Sequence, residues 1–254
     1  MPIKPKSEAE IAIMRMGGKL LAELFIKIEA LVRPGAVSKD IDSFAYDFIT
    51  RAGAKPSFKG YKVGGAKYPA SICASRNDEV IHGIPNRTPF NEGDIVGIDI
   101  GLNLRGYHVD AARTYAVGTI SAEAARLVKT TEEAFFTGVA VLKANVHLGD
   151  LSAAIQSAAE RAGYSVVRQF AGHGIGSKLH EEPQVSNHGK AGEGPTLPAG
   201  TTIAIEPMIN AGVSEVLMMD DDWTIVTRDG MLSSHYEHTV LITETGYEIL
   251  TALS

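Results

Sequence analysis

A chain of 254 residues with 44% hydrophobic and 21% charged residues is typical of a folded globular protein, which excludes a disordered or fibrous one. Its formal net charge of −6 gives no overall attraction to phosphate backbones or anionic lipid, so we expect no specific nucleic acid and no membrane among its partners. The start MPIKPKSEAE has no apolar signal-peptide core, and no later stretch is long enough to span a membrane.

Two helices followed by strands are predicted in the first half of the chain. Apolar residues at helical spacing predict a helix over about residues 7–32. A second helix is predicted over 40–54, because Asp40 favours the dipole at its start and Gly53 can stop it. The residues that follow, 69–118, are typical of strands.

The second half repeats this order of elements. Residues 150–164, DLSAAIQSAAERAGY, resemble residues 40–54, DIDSFAYDFITRAGA, at a shift of 110 positions. A helix predicted over 121–144 precedes this segment, and the apolar, β-branched runs TTIAIEPMI and YEHTVLIT follow it within residues 200–250.

The repeat predicts two α+β halves packed together. We expect residues 1–254 to form a single domain with internal halves of roughly 1–118 and 119–254, since no linker separates them. A cleft between such halves is a usual place for a binding site.

Two aspartates fall on a predicted hairpin in the first half. Strand pairing centred between Leu104 and Arg105 places Asp99 opposite Asp110, with their Cβ atoms about 5 Å apart. The apolar residues around Asp99 predict burial, and two buried carboxylates need a proton or a cation between them. The alternatives are a register that differs by one or two residues, or side chains that reach solvent.

The second half offers a matching acidic pair, Glu206 and Glu237. Both adjoin hydrophobic strands, where a lone glutamate is seldom buried without a partner. Four converging carboxylates suit divalent cations, and an added imidazole would favour iron, cobalt, manganese or zinc. His173 in GHGIG is the candidate imidazole, although a histidine between glycines is also typical of a turn or of core packing.

These residues lie in sequence blocks that closely resemble the bacterial short-form type I methionine aminopeptidases of peptidase family M24. The blocks are NDEVIHGIP (77–85), DIVGIDIGLNLRGYHVDAARTYAVG (94–118), GHGIG and LHEEP (172–183), IAIEPM (203–208) and SSHYEHTVLIT (233–243). The resemblance covers most of the chain after about residue 65. It implies the α+β pita-bread fold of creatinases and aminopeptidases, with two halves around a central antiparallel sheet.

The resemblance also implies two divalent metal ions held by five residues, Asp99, Asp110, His173, Glu206 and Glu237. In this arrangement Asp99 binds one ion, Asp110 and Glu237 bridge the pair, and His173 and Glu206 complete the second. The ions could be cobalt, manganese, iron, zinc or nickel, since the ligand set accepts several of them.

The family's catalytic residues fall on Glu206, His180 and His82. Glu206 is expected to move the proton of the attacking water, and the two histidines to contact the substrate and the scissile carbonyl. By spacing alone, either histidine would be a loop or core residue. The substrate-binding positions implied are His82, His180 and a methionine pocket of Tyr68, Cys73 and Trp223, for which ordinary core packing is the alternative.

The function implied is a metalloaminopeptidase that removes the initiator methionine from nascent proteins with a small second residue. The alternatives are an Xaa-Pro aminopeptidase or prolidase, which usually carries an additional N-terminal domain, and a non-catalytic binding protein of the same fold. The N-terminal methionine of nascent polypeptides is the expected partner, and the ribosome is a candidate partner. We expect a monomer, located in the cytoplasm because the lone Cys73 cannot form an internal disulfide.

Overall fold

The computed structural model describes residues 3–252, and its elements follow the chain as two similar series. The first series is α1 (Glu8–Glu29), α2 (Ser38–Arg51), β1 (Lys55–Pro56), β2 (Lys62–Val63), β3 (Ala66–Lys67), β4 (Cys73–Arg76), β5 (Glu79–Ile81), β6 (Ile95–Leu104) and β7 (Tyr107–Ala116).

The second series begins again with a pair of helices. It is α3 (Ala122–Val139), β8 (Val146–His147), α4 (Leu148–Arg161), β9 (Ser165–Val166), β10 (Ala171–Gly174), β11 (Glu181–Ser186), β12 (Thr196–Leu197), β13 (Thr202–Ile205), β14 (Met208–Asn210), β15 (Val216–Met218), β16 (Ile225–Thr227), β17 (Ser233–His235), β18 (Glu237–Ile242) and β19 (Tyr247–Ile249).

All four predicted helices are confirmed, as is the repeat that relates α2 to α4. Asp40 and Asp150 lie in the first turns of these two helices, where a negative charge meets the positive end of the helix dipole. Gly53 and Gly163 follow them with φ of 74° and 86°, the left-handed conformation that glycine adopts at little cost. The helix α1 begins with a capping box, in which Ser7 and Glu10 satisfy each other's backbone N–H groups.

A nine-stranded antiparallel sheet joins the two halves. Its strand order is β1-β6-β7-β18-β13-β10-β11, with β4 beside β6 and β19 beside β18. One hydrophobic cluster includes the buried faces of α1, α2 and β6, and a second includes those of α3, α4 and β13. The halves meet where β7 pairs with β18, at Ala112 opposite Glu237.

The predicted register of the β6–β7 hairpin is wrong by two positions. Asp99 pairs with Ala112, and Asp110 pairs with Gly101, so the two aspartates are diagonal neighbours and not direct partners. The turn residues are Arg105 and Gly106, both with positive φ. A two-residue turn of this kind needs positive φ at both central positions, and glycine takes one of them without strain, which moves the centre of the hairpin one residue along the chain.

Within residues 3–252, no helix combines the length and the apolarity that a membrane crossing requires.

Candidate metal centre and substrate pocket

The five predicted metal ligands come from five neighbouring strands of the central sheet. Asp99 lies on β6, Asp110 on β7, Glu237 at the start of β18, Glu206 directly after β13 and His173 on β10. The structure therefore brings together residues that are up to 138 positions apart in the sequence. Pairing between the halves creates this proximity.

The strand register directs these side chains to one face of the sheet. Asp99 and Glu237 both lie beside Ala112, and Asp110 is two residues from Ala112, on the same face. The small Ala112 leaves the space between the acids free. Ile205 pairs with His238, which places Glu206 next to Glu237.

His173 joins the carboxylates because its strand can approach the neighbouring strands closely. It pairs with Ala204, two residues before Glu206, and its Nε2 lies 3.7 Å from Glu206 Oε1. A Cβ at Gly172 would lie 2.3 Å from the carbonyl oxygen of Ala204, and one at Gly174 would lie 2.1 Å from that of Glu182. Gly172 and Gly174 are thus required for strand packing, and residues Ala171–Gly174 form a strand and not a turn.

Three of the five residues already offer ligand atoms at metal-binding separation. One atom each of Asp110, His173 and Glu237 lie within 4.8 Å of one another. Glu206 adjoins this group through His173. Asp99 adjoins it as the diagonal neighbour of Asp110 across β6 and β7.

The acids are buried without the counter-charge that they need. Within residues 3–252, three buried carboxylate oxygens have no hydrogen-bond partner: Asp99 Oδ1, Asp110 Oδ1 and Glu237 Oε1. Burial raises the pKa of Asp99 to about 7. Burial, and then the charge of neighbouring carboxylates, raises the pKa of Asp110, Glu206 and Glu237 well above the ordinary values.

A divalent cation fits this donor set. The described residues that line the cavity above the acids include no lysine or arginine. Unpartnered oxygens of hard carboxylate ligands, together with one imidazole, match the preferences of manganese, iron, cobalt and zinc.

The same cavity holds the predicted substrate residues. It has a volume of about 410 Å³. Among its lining residues are all the positions that the sequence suggested for substrate contact: Tyr68, Cys73, His82, His180 and Trp223.

Tyr68, Cys73 and Trp223 form one wall of this cavity, next to the acids. The rings of Tyr68 and Trp223 meet edge to face with centroids 5.1 Å apart. The Tyr68 hydroxyl donates to the carbonyl oxygens of Ile72 and Gly83, which fixes the ring. Cys73 pairs with Asp99 across β4 and β6, so the apolar wall and the first carboxylate share one strand pair.

The two predicted histidines reach the cavity from different loops. His82 has a φ of 60°, and its ring meets the edge of Phe170 at 6.0 Å. His180 packs edge to face on His173, with centroids 4.3 Å apart. Burial lowers the pKa of His82 to about 4 and also lowers the pKa of His180. Both are therefore neutral at pH 7, and each can donate one N–H to a substrate oxygen.

Tyr61 and His235 lie beside the predicted site residues and were not themselves predicted. The Tyr61 hydroxyl lies 2.5 Å from His180 Nδ1, and Tyr61 lines the cavity. His235 is only 4% exposed and directs its Nε2 towards Glu206 and Glu237. Its place two residues before Glu237 was a usable signal, since alternate strand positions share a face. Tyr61 lies in a lysine- and glycine-rich segment that gives no such signal.

The chain is similar to known proteins over most of its length. Residues 12–244 match the model of metallopeptidase family M24. The chain is 50% identical to the methionine aminopeptidase of Clostridium perfringens over 248 residues, which is 98% of each chain. A crystal structure of methionine aminopeptidase from Rickettsia prowazekii superposes with a TM-score of 0.96 at 41% identity, covering 98% of this chain and 100% of that one.

A more distant structure shares the fold alone. The prolidase from Pyrococcus furiosus superposes with a TM-score of 0.79 at 22% identity, covering 98% of this chain and 66% of that one.

Proposed function

This chain belongs to metallopeptidase family M24, and we propose that the acids and histidines of its central cavity hydrolyse the peptide bond after an N-terminal methionine. The activity is that of a methionyl aminopeptidase, a metal-dependent exopeptidase, and the fold is the predicted α+β pita-bread fold. The metal count, the roles of individual residues and the range of substrates are the parts that we propose.

Two divalent ions are proposed to be held by Asp99, Asp110, His173, Glu206 and Glu237. The observation that carries this proposal is the set of buried carboxylate oxygens that have no partner within the described chain. When bound, such an ion pair lowers the pKa of a shared water and polarises a carbonyl group. We propose that Asp110 and Glu237 are shared between the ions, Asp99 belongs to one of them, and His173 and Glu206 belong to the other. Cobalt, manganese, iron, zinc and nickel are the candidate ions.

Glu206 is the proposed general base. As a carboxylate that lines the cavity, it can take a proton from the attacking water and return it to the leaving amine. Its Oε1 lies 3.7 Å from His173 Nε2, and the residue lines the cavity that would take the substrate.

His180 and His82 are the proposed donors to the oxygen of the scissile carbonyl. Both are neutral and line the cavity, so each can offer an N–H to the negative charge that develops on this oxygen. Tyr61 supports this role for His180. When its hydroxyl donates to Nδ1, the ring proton lies on Nε2, and Nε2 is then the nitrogen that can donate to the substrate.

The methionine side chain is proposed to bind against Tyr68, Cys73 and Trp223. A polarisable thioether suits an aromatic edge and a buried thiol, and this wall lies beside the acids of the proposed metal site, where the free α-amino group would bind. This proximity favours an exopeptidase, since only a chain terminus offers both groups. We also propose that the substrates are nascent chains with a small second residue. The proposal further includes a ribosome contact, a monomeric state and a cytoplasmic location.

Peptide kinetics test this function directly. Purified protein supplied in turn with manganese, cobalt, iron, zinc and nickel should release methionine from Met-Ala-Ser and leave an Ala-Pro bond uncut. The Asp99→Asn variant, matched in shape, should lose this turnover. Preferred cleavage at Ala-Pro would replace the proposal with a prolidase-like function, and no release from any suitable peptide would indicate a non-catalytic protein.

A further inference from the structure

His235 is a buried histidine that lies beside the metal-binding acids. It ends β17, two residues before Glu237, and only 4% of its surface is exposed. The residue also lines a separate cavity of about 200 Å³ that is lined in part by Arg113 and Tyr236. His235 therefore lies between that cavity and the carboxylate cluster.

The backbone of His235 is held from both sides. Its N–H donates to Thr114 Oγ1 over 3.0 Å, and the Thr114 hydroxyl donates back to the His235 carbonyl oxygen over 2.8 Å. On the other side, His235 pairs with Met208 of β14. These contacts join it to both halves of the chain and fix the origin of the side chain.

The imidazole faces two carboxylates at equal distance. His235 Nε2 lies 3.9 Å from Glu206 Oε2 and 3.9 Å from Glu237 Oε2. Among the described residues, this Nε2 atom has no hydrogen-bond partner. Leaving a buried N–H unpaired is costly, and a shift of roughly 1 Å would bring either oxygen into hydrogen-bond range.

The two oxygens of each carboxylate face different surroundings. Their Oε2 atoms face His235, whereas Glu206 Oε1 faces His173 and Glu237 Oε1 has no partner within residues 3–252. A donor on the Oε2 side thus leaves the Oε1 atoms available on the ligand side. Donors of this kind orient metal-binding groups and raise metal affinity in many proteins.

We propose that His235 is a positioning residue, whose Nε2–H donates to the Oε2 atoms of Glu206 and Glu237 and holds their Oε1 atoms in place for the metal ions. This inference rests on the proposed function, because it assigns the two glutamates as metal ligands. His235 has no direct role towards the substrate. Its contribution is the orientation of the two glutamates.

Two substitutions separate the donor from the bulk of the ring. His235→Gln keeps an N–H donor at similar reach, and His235→Leu keeps apolar bulk but has no donor. His238→Leu is the matched control, because His238 is also buried and lies one residue beyond Glu237. It hydrogen-bonds to Thr251 and Tyr236 and faces away from the acids.

Three measurements are made on each variant: the dissociation constant for Mn²⁺ by calorimetry, the melting temperature without metal, and methionine release with saturating Mn²⁺. We expect His235→Leu to bind Mn²⁺ about 10- to 100-fold more weakly. Its metal-free form should melt no lower than the parent, since the substitution removes an unpaired buried group. His235→Gln should stay within about threefold of the parent affinity, and His238→Leu should melt lower with its Mn²⁺ affinity unchanged.

Unchanged Mn²⁺ affinity in His235→Leu would overturn the inference, and so would an equal loss in His235→Gln, because the donor would then be irrelevant. If His235→Leu does not fold, His235→Met provides a second donor-free variant for the same comparison. The proposed function fails separately, if the parent protein binds Mn²⁺ but releases no methionine.

Discussion

Removing the metal should destabilise the protein, and more so as the pH rises. Asp99, Asp110, Glu206 and Glu237 are buried together, and their pKa values are raised by burial. A group with a raised folded-state pKa stabilises the fold fully below its unfolded pKa, and this contribution is lost as the pH rises through the folded pKa. Without a cation, the free energy of unfolding therefore falls as the pH rises from about 4 through the raised pKa values of these acids.

The magnitude can be worked out for Asp99. Its pKa rises from 3.8 to about 7, and each unit corresponds to about 1.4 kcal/mol, so its ionisation costs about 4 kcal/mol in all. Of this loss of stability, about 1 kcal/mol occurs as the pH rises from 6 to 8. The other three acids act in the same direction. In the loaded protein the ion balances these charges, and metal at 100 times its dissociation constant adds about 2.7 kcal/mol.

The assay is thermal unfolding with a chelator and with Mn²⁺, at pH 6 and pH 8. For a domain of this size, about 2.7 kcal/mol corresponds to a rise in melting temperature of roughly 5 to 10 °C. We expect the gap between the two forms to be wider at pH 8. Asp99→Asn should raise the melting temperature of the chelated form at pH 8 and reduce the metal-induced rise, while the exposed control Asp220→Asn should change neither.

A chelated protein that melts as high as the loaded one would refute this reasoning. A gap that narrows from pH 6 to pH 8 would also refute it, because the unpaired acids would then not be the source of the instability.

Three further outcomes are expected. His180→Ala should keep its metal content by elemental analysis but lose about 10²- to 10³-fold in kcat, as for an oxyanion donor; an unchanged kcat would remove this role. Trp223→Ala should raise KM for Met-Ala-Ser several-fold with metal affinity intact, because Trp223 lines the proposed methionine pocket and is not a proposed metal ligand; an unchanged KM would exclude it from methionine binding. Arg105→Asn should raise the free energy of unfolding by about 0.5 kcal/mol in urea titrations, since asparagine tolerates the φ of 51° better than arginine. A decrease would contradict the turn geometry.

The helices and the repeat could be predicted because their signals are local. Apolar spacing, an acidic first turn and a terminal glycine lie within one segment, and the structure places α2 and α4 at the predicted shift of 110 residues. The strand β10 could not be predicted in this way. Its glycines are explained only by the carbonyl oxygens of Ala204 and Glu182, which belong to neighbouring strands.

The carboxylates were predictable as a group, because acids inside apolar runs signal burial. His173 was not predictable from physics alone, since the position of its ring depends on the pairing of β10 with β13. The family resemblance supplied that residue. His235 was missed although it lies two residues before Glu237, because β17 pairs with β14 outside the central sheet.

The error in the hairpin register left the predicted cluster intact for a physical reason. Side chains alternate between the faces of a strand, so a shift of two positions keeps Asp99 and Asp110 on the same face, while a shift of one would have separated them. The cluster then depends on which strands are neighbours. Asp99 and Asp110 come from the first half and the other three candidate ligands from the second, and the halves meet at Ala112 and Glu237. An ion bound there links the two halves, so the metal should stabilise the junction of the sheet as well as support catalysis.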